Sequence, residues 1–322
     1  MGLKHRVLKC FWQLGGFNLL KVRSNRCARI LMYHRFSKEK VPFRISEKTF
    51  GEQMALLRDR FNVVRLIELV EIIRNRSEIP RNCVCITIDD GYKDFYLYGY
   101  PVLKRHNLPA TVFLTTGFID SERWLWPDKI SYVLENANKG NFILRLGKDP
   151  ERFSIRNMGE ILEAQLRIFK HCTSVSNHEK ETLIENLAET IGLEVPESPT
   201  EDYLGLNWGE IEEMRRNNIS FGSHTVSHAI LTKLTDEELD NEINASKRII
   251  EDKLNEKVNM LAYPDGKYDK KVVERIRESD YLGAVTTVSG INGTDADVYS
   301  LRRIAGSEMP QYYFMRRVFL QK

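Results

Sequence analysis

The chain has 322 residues, 42% of them hydrophobic and 29% charged, with a formal net charge of +3 at pH 7. That apolar fraction is ample for a core, and the length allows one large domain with an insertion or two modest domains. So small a charge gives no reason to expect nucleic acid as a partner. The five cysteines are scattered, without zinc-ribbon or redox spacing, which speaks against a disulfide framework and for a reducing compartment.

Residues 1–28 are basic and mildly apolar, and Gln13, Gly15, Gly16 and Asn18 interrupt the run around Phe11-Trp12. The run falls well short of the roughly 20 residues a spanning helix needs, and no clear small-residue cleavage site follows it. Two readings remain: a helix packed on the outside of the domain, or one lying on an anionic membrane surface. The expected location is cytoplasmic, with possible peripheral membrane contact. From 29 onward the pattern is that of a folded domain. Arg29-Ile30-Leu31-Met32-Tyr33-His34 reads as a strand ending in a histidine, and Ser46 or Thr49 caps a helix that follows. A second helix is expected over 66–76, closed by Pro80.

Cys83-Val84-Cys85-Ile86 then leads, as a strand, into Thr87-Ile88-Asp89-Asp90-Gly91-Tyr92. Cys83 and Cys85 share a face of that strand and read as buried apolar residues. Two adjacent carboxylates held near each other and away from water repel, so one must keep its proton or bind a cation. At the strand's end the backbone turns, which lets both aim at one site, and Gly91 relieves the turn sterically. The plainer reading of Asp-Asp-Gly is an Asx-turn or a helix cap.

A helix over 93–106, interrupted at Gly99 and Pro101, and a β-branched strand over 110–116 come next. Between about 119 and 206 the rhythm changes to long amphipathic periods at 129–137, 158–171 and 177–191, which predict a helical insertion. Pro196, Ser198, Pro199 and Thr200 mark its return. Strand–helix alternation then resumes. Helices are expected over 208–217, 236–254 and 270–279, and strands over 219–221, 259–263, 282–287 and 300–305. Such units with short links predict a distorted parallel (β/α) barrel of about seven strands over 29–322, its chemistry at the C-terminal strand ends.

His224 and His228, four apart, follow the 219–221 strand and share one face if the backbone turns helical there. Two neutral imidazoles with one carboxylate of the Asp89–Asp90 pair make a three-ligand site for a divalent ion with a position left for water. Zinc suits that donor set, and cobalt, nickel, iron or manganese could take its place.

Thr-Ile-Asp-Asp-Gly, Ser223-His224-Thr225-Val226-Ser227-His228 and Leu261-Ala262-Tyr263-Pro264-Asp265-Gly266 together resemble three successive motifs of the polysaccharide deacetylases, the NodB homology domains of carbohydrate esterase family 4. The resemblance runs from about 29 to 304 and is weakest between 119 and 206. It implies Asp89 as general base and Asp90, His224 and His228 as metal ligands. It also implies an acetylated sugar, usually an N-acetylhexosamine unit of a cell-surface glycan or its precursor, as substrate. The backbone N–H of Asp265, or of Gly266, would face the oxyanion, since Pro264 has no N–H. Tyr263 is a candidate sugar contact, as are Trp124 and Trp126, with ordinary packing as the alternative for each.

The chain departs from the family pattern twice. An arginine that often orients the base in the third motif is replaced around Ala262, and Arg303 or Arg302 on the last strand could supply the guanidinium instead, if not merely a surface ion pair. No histidine follows His228, so the late general-acid histidine is missing, and His34 at the first strand's end is its best substitute. Two other functions fit the same residues: hydrolysis of a small non-sugar amide, and a glycan-binding module that has lost catalysis. Acetate release that needs both metal and Asp89 separates the first reading from these.

Overall fold

Alternation along the strands sorts the hydrophobic residues into two layers, and that sorting builds the fold. The computed structural model describes residues 26–320. The helix expected near the N-terminus lies outside them. Among the described residues no helix is long and apolar enough to cross a membrane.

The chain opens with β1 (Arg29–Tyr33), the short β2 (Phe36–Ser37) and β3 (Ile45–Ser46), a helix Glu47–Arg60, and β4 (Asn62–Val63). Ser46 caps that helix by accepting the Thr49 backbone N–H. Helix Leu66–Arg74, β5 (Cys83–Ile88), helix Tyr100–His106 and β6 (Ala110–Leu114) follow. Next come helix Trp126–Asn136, β7 (Asn141–Leu146), β8 (Asp149–Ser154) and helices Met158–Cys172 and Asn177–Ile191. The remainder is helix Trp208–Arg215, β9 (Ile219–Ser223), helical runs Asp236–Asp240 and Ser246–Leu254, β10 (Met260–Ala262), helix Lys270–Glu278, β11 (Gly283–Ser289), β12 (Leu301–Ala305) and helix Gln311–Leu320.

Among the described residues, seven strands pair in the order β1, β12, β11, β10, β9, β6, β5. β5 pairs again with β1, from Arg29 beside Val84 to Tyr33 beside Ile88, and so closes a parallel barrel. This is the expected fold. β4 pairs only with the start of β5.

Leu31, Tyr33, Val84, Ile86 and Ile88 join the layer packed under the surrounding helices. Their neighbours Ile30, Cys83 and Cys85 turn the other way and join Phe113, Val285, Leu301 and the helix residues Leu66, Leu69, Val70 and Ile73. The helix Leu66–Arg74 therefore seals one end of the barrel. Each of its four buried side chains contributes roughly 1.5–3 kcal/mol. Continuing the inward face of β5 past Cys83 and Cys85 leads to Thr87 and then Asp89, at the opposite end.

One expectation is corrected and two are refined. The segment between β6 and β9 is not purely helical: β7 and β8 form an antiparallel hairpin whose Phe142, Leu144 and Phe153 pack with Trp126, Ile168 and Leu187 in a cluster of their own. Buried and exposed residues alternate along β7, but the exposed one between Phe142 and Leu144 is Ile143, so the sequence shows an apolar run in place of alternation, and the helical periods on either side dominate the window. The helix expected over 93–106 is present, and its expected interruption at Gly99 and Pro101 takes the form of a wide turn, Phe95–Gly99, that leads into Tyr100–His106. The helix expected over 236–254 is present without a break and carries one wide turn, Asn241–Ala245, inside it.

Candidate active site

Asp89 follows β5 directly, and its backbone N–H donates to the Tyr33 carbonyl at 2.9 Å, extending the β1–β5 pairing by one step. Asp90 then takes a left-handed backbone, φ 75°, and Gly91 follows at φ 88°. That reversal is why two consecutive carboxylates reach one site, where a continued strand would set them on opposite faces. A Cβ at position 91 would stand 2.8 Å from Ile119 Cδ1, so the glycine is required by both conformation and space. The Asx-turn and helix-cap alternatives fall away, because both side chains point into the barrel mouth, buried.

The structure brings Asp90, His224 and His228 together, with one potential ligand atom from each lying within 4.8 Å of the others. His224 Nε2 is 3.3 Å and His228 Nε2 3.4 Å from Asp90 Oδ1. Donors about 2.0–2.1 Å from a tetrahedral ion stand about 3.3–3.4 Å apart, so these separations fit a zinc-type centre. Asp90 Oδ1 is buried with no hydrogen-bond partner, a vacancy that a cation would satisfy. His224 Nδ1 lies 2.8 Å from the Ala262 carbonyl, to which it donates, and Nε2 is thereby left as the free lone pair. Burial would raise the Asp90 pKa, but the His224, His228 and His34 imidazoles around it outweigh this and hold the carboxyl below its ordinary range. Burial, and after it the neighbouring His224, lowers His228 to about 4, so it is neutral at pH 7, as a ligand must be.

The histidines do not share a helical face, contrary to expectation. Thr225 and His228 both have left-handed backbones, φ 69° and 57°, and the intervening loop is laid along the end of β6. Thr116 N–H donates to Thr225 O at 3.0 Å and Gly117 N–H to Val226 O at 2.8 Å. Glu242, from the wide turn Asn241–Ala245, clamps the loop: its carboxylate accepts the N–H of Val226 (2.8 Å) and Ser227 (2.9 Å) and the Ser227 hydroxyl (2.6 Å). Trp126 Nε1 donates to the His228 carbonyl at 3.3 Å. Neither of these supports was found in the sequence. Glu242 looks like any solvated glutamate of a charged helix until the wide turn aims it inward.

Arg303 grips Asp89 with two parallel hydrogen bonds, Nη1 to Oδ1 at 2.7 Å and Nη2 to Oδ2 at 2.6 Å. Its Nη1 also donates to Thr87 Oγ1 and its Nε to the Thr286 carbonyl. At 1% exposure it is neither a surface ion pair nor a substrate contact: it positions Asp89. Burial raises the Asp89 pKa, yet the Arg303 charge and hydrogen bonds more than offset this, so the carboxyl stays below its usual range and ionised. Strand alternation separates the two arginines, since Leu301 and Arg303 face inward and Arg302 outward. His34, just beyond β1, places Nε2 3.7 Å from Asp89 Oδ2 with 42% of its side chain exposed.

The third motif is partly corrected. Tyr263 is fully buried, its hydroxyl donates to the Tyr299 carbonyl and its ring stacks on Tyr268, so it packs and contacts no substrate. Gly266 N–H donates to the Tyr263 carbonyl at 2.8 Å, which removes it as an oxyanion donor. Asp265, left-handed at φ 53°, has its N–H outside these bonds. Trp126 is buried beside His228, and Trp124 donates to Pro196 O while packing on Tyr132 and Tyr203, so neither is a free sugar platform.

Arg35, next to His34, ties the insertion to the site. It bonds Asp94 at 2.7 Å, lies 3.4 Å from Asp128, lies over the Tyr92 ring at 4.0 Å and donates to the Asp202 carbonyl. A cavity of about 520 Å³ beside Trp124 and helix Asn177–Ile191 touches none of the candidate metal or base residues.

Residues 76–284 match the family described as polysaccharide deacetylase. The chain is 23% identical over 276 residues to YxkH of Bacillus subtilis strain 168, provisionally named as a polysaccharide deacetylase, and the match covers 85% of this chain and 70% of that one. Over 111 residues it is 27% identical to the poly-β-1,6-N-acetyl-D-glucosamine N-deacetylase of Staphylococcus aureus strain MSSA476, covering 34% of this chain and 38% of the other. Solved structures of low identity share the fold, among them two that span nearly all of this chain. The Streptococcus pyogenes deacetylase PplD, in complex with acetate, superposes with a TM-score of 0.62 at 19% identity, over 91% of this chain and 98% of that one. IcaB from Ammonifex degensii superposes with a TM-score of 0.61 at 17% identity, over 92% and 97%.

Proposed function

This chain belongs to the polysaccharide deacetylase family, and on that premise we propose that it hydrolyses the acetyl group of an N-acetylhexosamine unit in a cell-surface glycan or its precursor, releasing acetate. The observation that carries the reading is the buried Asp90–His224–His228 triad standing beside a second, separately held carboxylate, Asp89. A pure binding module has no use for that second carboxylate.

A divalent ion held by Asp90, His224 and His228 would supply Lewis acidity, activating water and polarising the acetyl carbonyl. Asp89 accepts the proton of the attacking water. Arg303 occupies one lone pair on each of its oxygens, and a carboxylate has about four acceptor sites, so a position remains. The Asp265 N–H faces the developing oxyanion. His34 gives a proton to the leaving nitrogen, and the products are acetate and a free amine.

The test is acetate release from a panel of acetylated glycans by metal-loaded, chelated and Asp89→Asn protein. Release should need both metal and Asp89. Replacing His34 should cut turnover with metal content intact, and equal loss of both would remove it as the acid. Tight metal binding without release from any glycan would transfer the site to a small amide.

A further inference from the structure

A cavity of about 360 Å³, within the range of small-ligand sites, opens beside the centre, and His34, Phe43, Arg44 and Glu308 are among the residues that line it. Resting on the deacetylase reading, we propose that this cavity is a subsite for the neighbouring sugar unit of the glycan, and that it requires that unit to be still acetylated.

Continuity is the first support. His34 lines the cavity and also reaches to 3.7 Å from Asp89, so a chain whose acetyl group is at the centre continues past His34 into it. The second is charge. Arg35 is paired with Asp94 and Asp128, and Arg44 with Asp202 at 2.9 Å. Glu308 accepts the Ser46 N–H and the hydroxyls of Ser46 and Thr49, with Lys40 at 3.5 Å. Every charge on the wall is thus answered from within the protein. A neutral acetylated sugar enters without disturbing these pairs. An ammonium-bearing, deacetylated sugar would be desolvated with no partner, or would have to break one. The third is Phe43. Its side chain lines the cavity at 61% exposure while its backbone is left-handed, φ 59°, a conformation that bulky residues seldom adopt and that concentrates at functional sites. The conformation holds an aromatic face out to water, where the apolar face of a pyranose can cover it.

The experiment compares the wild type and Phe43→Ala, full-length and metal-loaded, on N-acetylglucosamine, its fully acetylated tetramer and a partly deacetylated tetramer. The substitution should lower kcat/KM on the acetylated tetramer about tenfold, through KM, and leave the monomer within about twofold. The wild type should prefer the fully acetylated tetramer about tenfold over one with a free amine beside the target unit. Equal effects on monomer and tetramer, or none, would overturn the subsite. A Phe43→Trp variant gives a readout that needs no turnover: its emission should change saturably with acetylated tetramer and not with the deacetylated one. If acetate is released but both variants are silent to chain length, the subsite fails and the deacetylase stands. If no glycan is hydrolysed yet the emission saturates, the sugar subsite stands and the catalytic reading fails. A response to lipid vesicles in place of the tetramer would reassign the Phe43 surface to membrane contact.

Discussion

Arg303→Met removes the guanidinium that holds Asp89 and leaves a buried carboxylate without its partner. The lost contacts are two charge-assisted hydrogen bonds of 2.7 and 2.6 Å, together with those to Thr87 and Thr286. Charged hydrogen bonds contribute roughly 1.5–3 kcal/mol each, and breaking a buried ion pair from one side costs about 3–5 kcal/mol. Set against a typical stability of about 5–15 kcal/mol, the variant should remain folded but fragile. At about 2–4 °C per kcal/mol, its Tm should fall by roughly 6–20 °C. The assay is thermal unfolding of chelated protein at neutral pH, so that metal binding adds nothing to the native state. Because most of the loss is the unpaired charge, the double variant Arg303→Met with Asp89→Asn should be at least about 2 kcal/mol more stable than the sum of the two single losses predicts. Arg303→Lys should fall between, since one ammonium cannot bridge both oxygens. Single losses that add within about 0.5 kcal/mol would refute the idea that Arg303 and Asp89 act as one unit.

Three further outcomes are expected. Glu242→Ala frees the loop before His228 without touching a ligand, so metal affinity should fall about 10–100-fold in a chelator competition; unchanged affinity would mean that the loop holds itself. Burial raises the Asp128 carboxyl, beside Tyr92 and Arg35, to about 7, well above its ordinary value near 3.9. The folded protein therefore binds more protons than the unfolded chain between about pH 4 and 7, and this group's contribution to stability should decline as pH rises through that window and level off above it. Asp128→Asn should flatten that slope in urea titrations, and an unaltered slope would assign it to other groups. Gly91→Ala forces a side chain into a left-handed turn and against Ile119, and should destabilise the protein by about 1–3 kcal/mol in the same titrations.

Much of the barrel was legible in the sequence because a parallel strand buried on both faces is a short apolar run, and such runs recur here between amphipathic helices. The hairpin β7–β8 and the two wide turns were not, because each lies within or beside a longer helical period that dominates any local window. The candidate ligands were legible for a related reason. Asp89-Asp90-Gly91 and His224 with His228 are residue types whose burial needs a chemical justification, and they stand where strands end.

Local sequence could not rank the surrounding residues. Tyr263, Gly266 and Arg303 looked alike as candidates near strand ends, yet their fates differ. The Tyr263 hydroxyl and the Gly266 N–H are consumed by carbonyls nearby in the fold, while Arg303 turns inward on a strand 214 positions away from its partner. What the sequence determined by itself was the set of strands and the chemistry their ends can perform, since periodicity and residue type are local properties. What only the tertiary structure decided was which polar atoms remain free to act. A hydrogen bond is spent or available according to what the closing of the barrel brings beside it, and no window along the chain contains that neighbour.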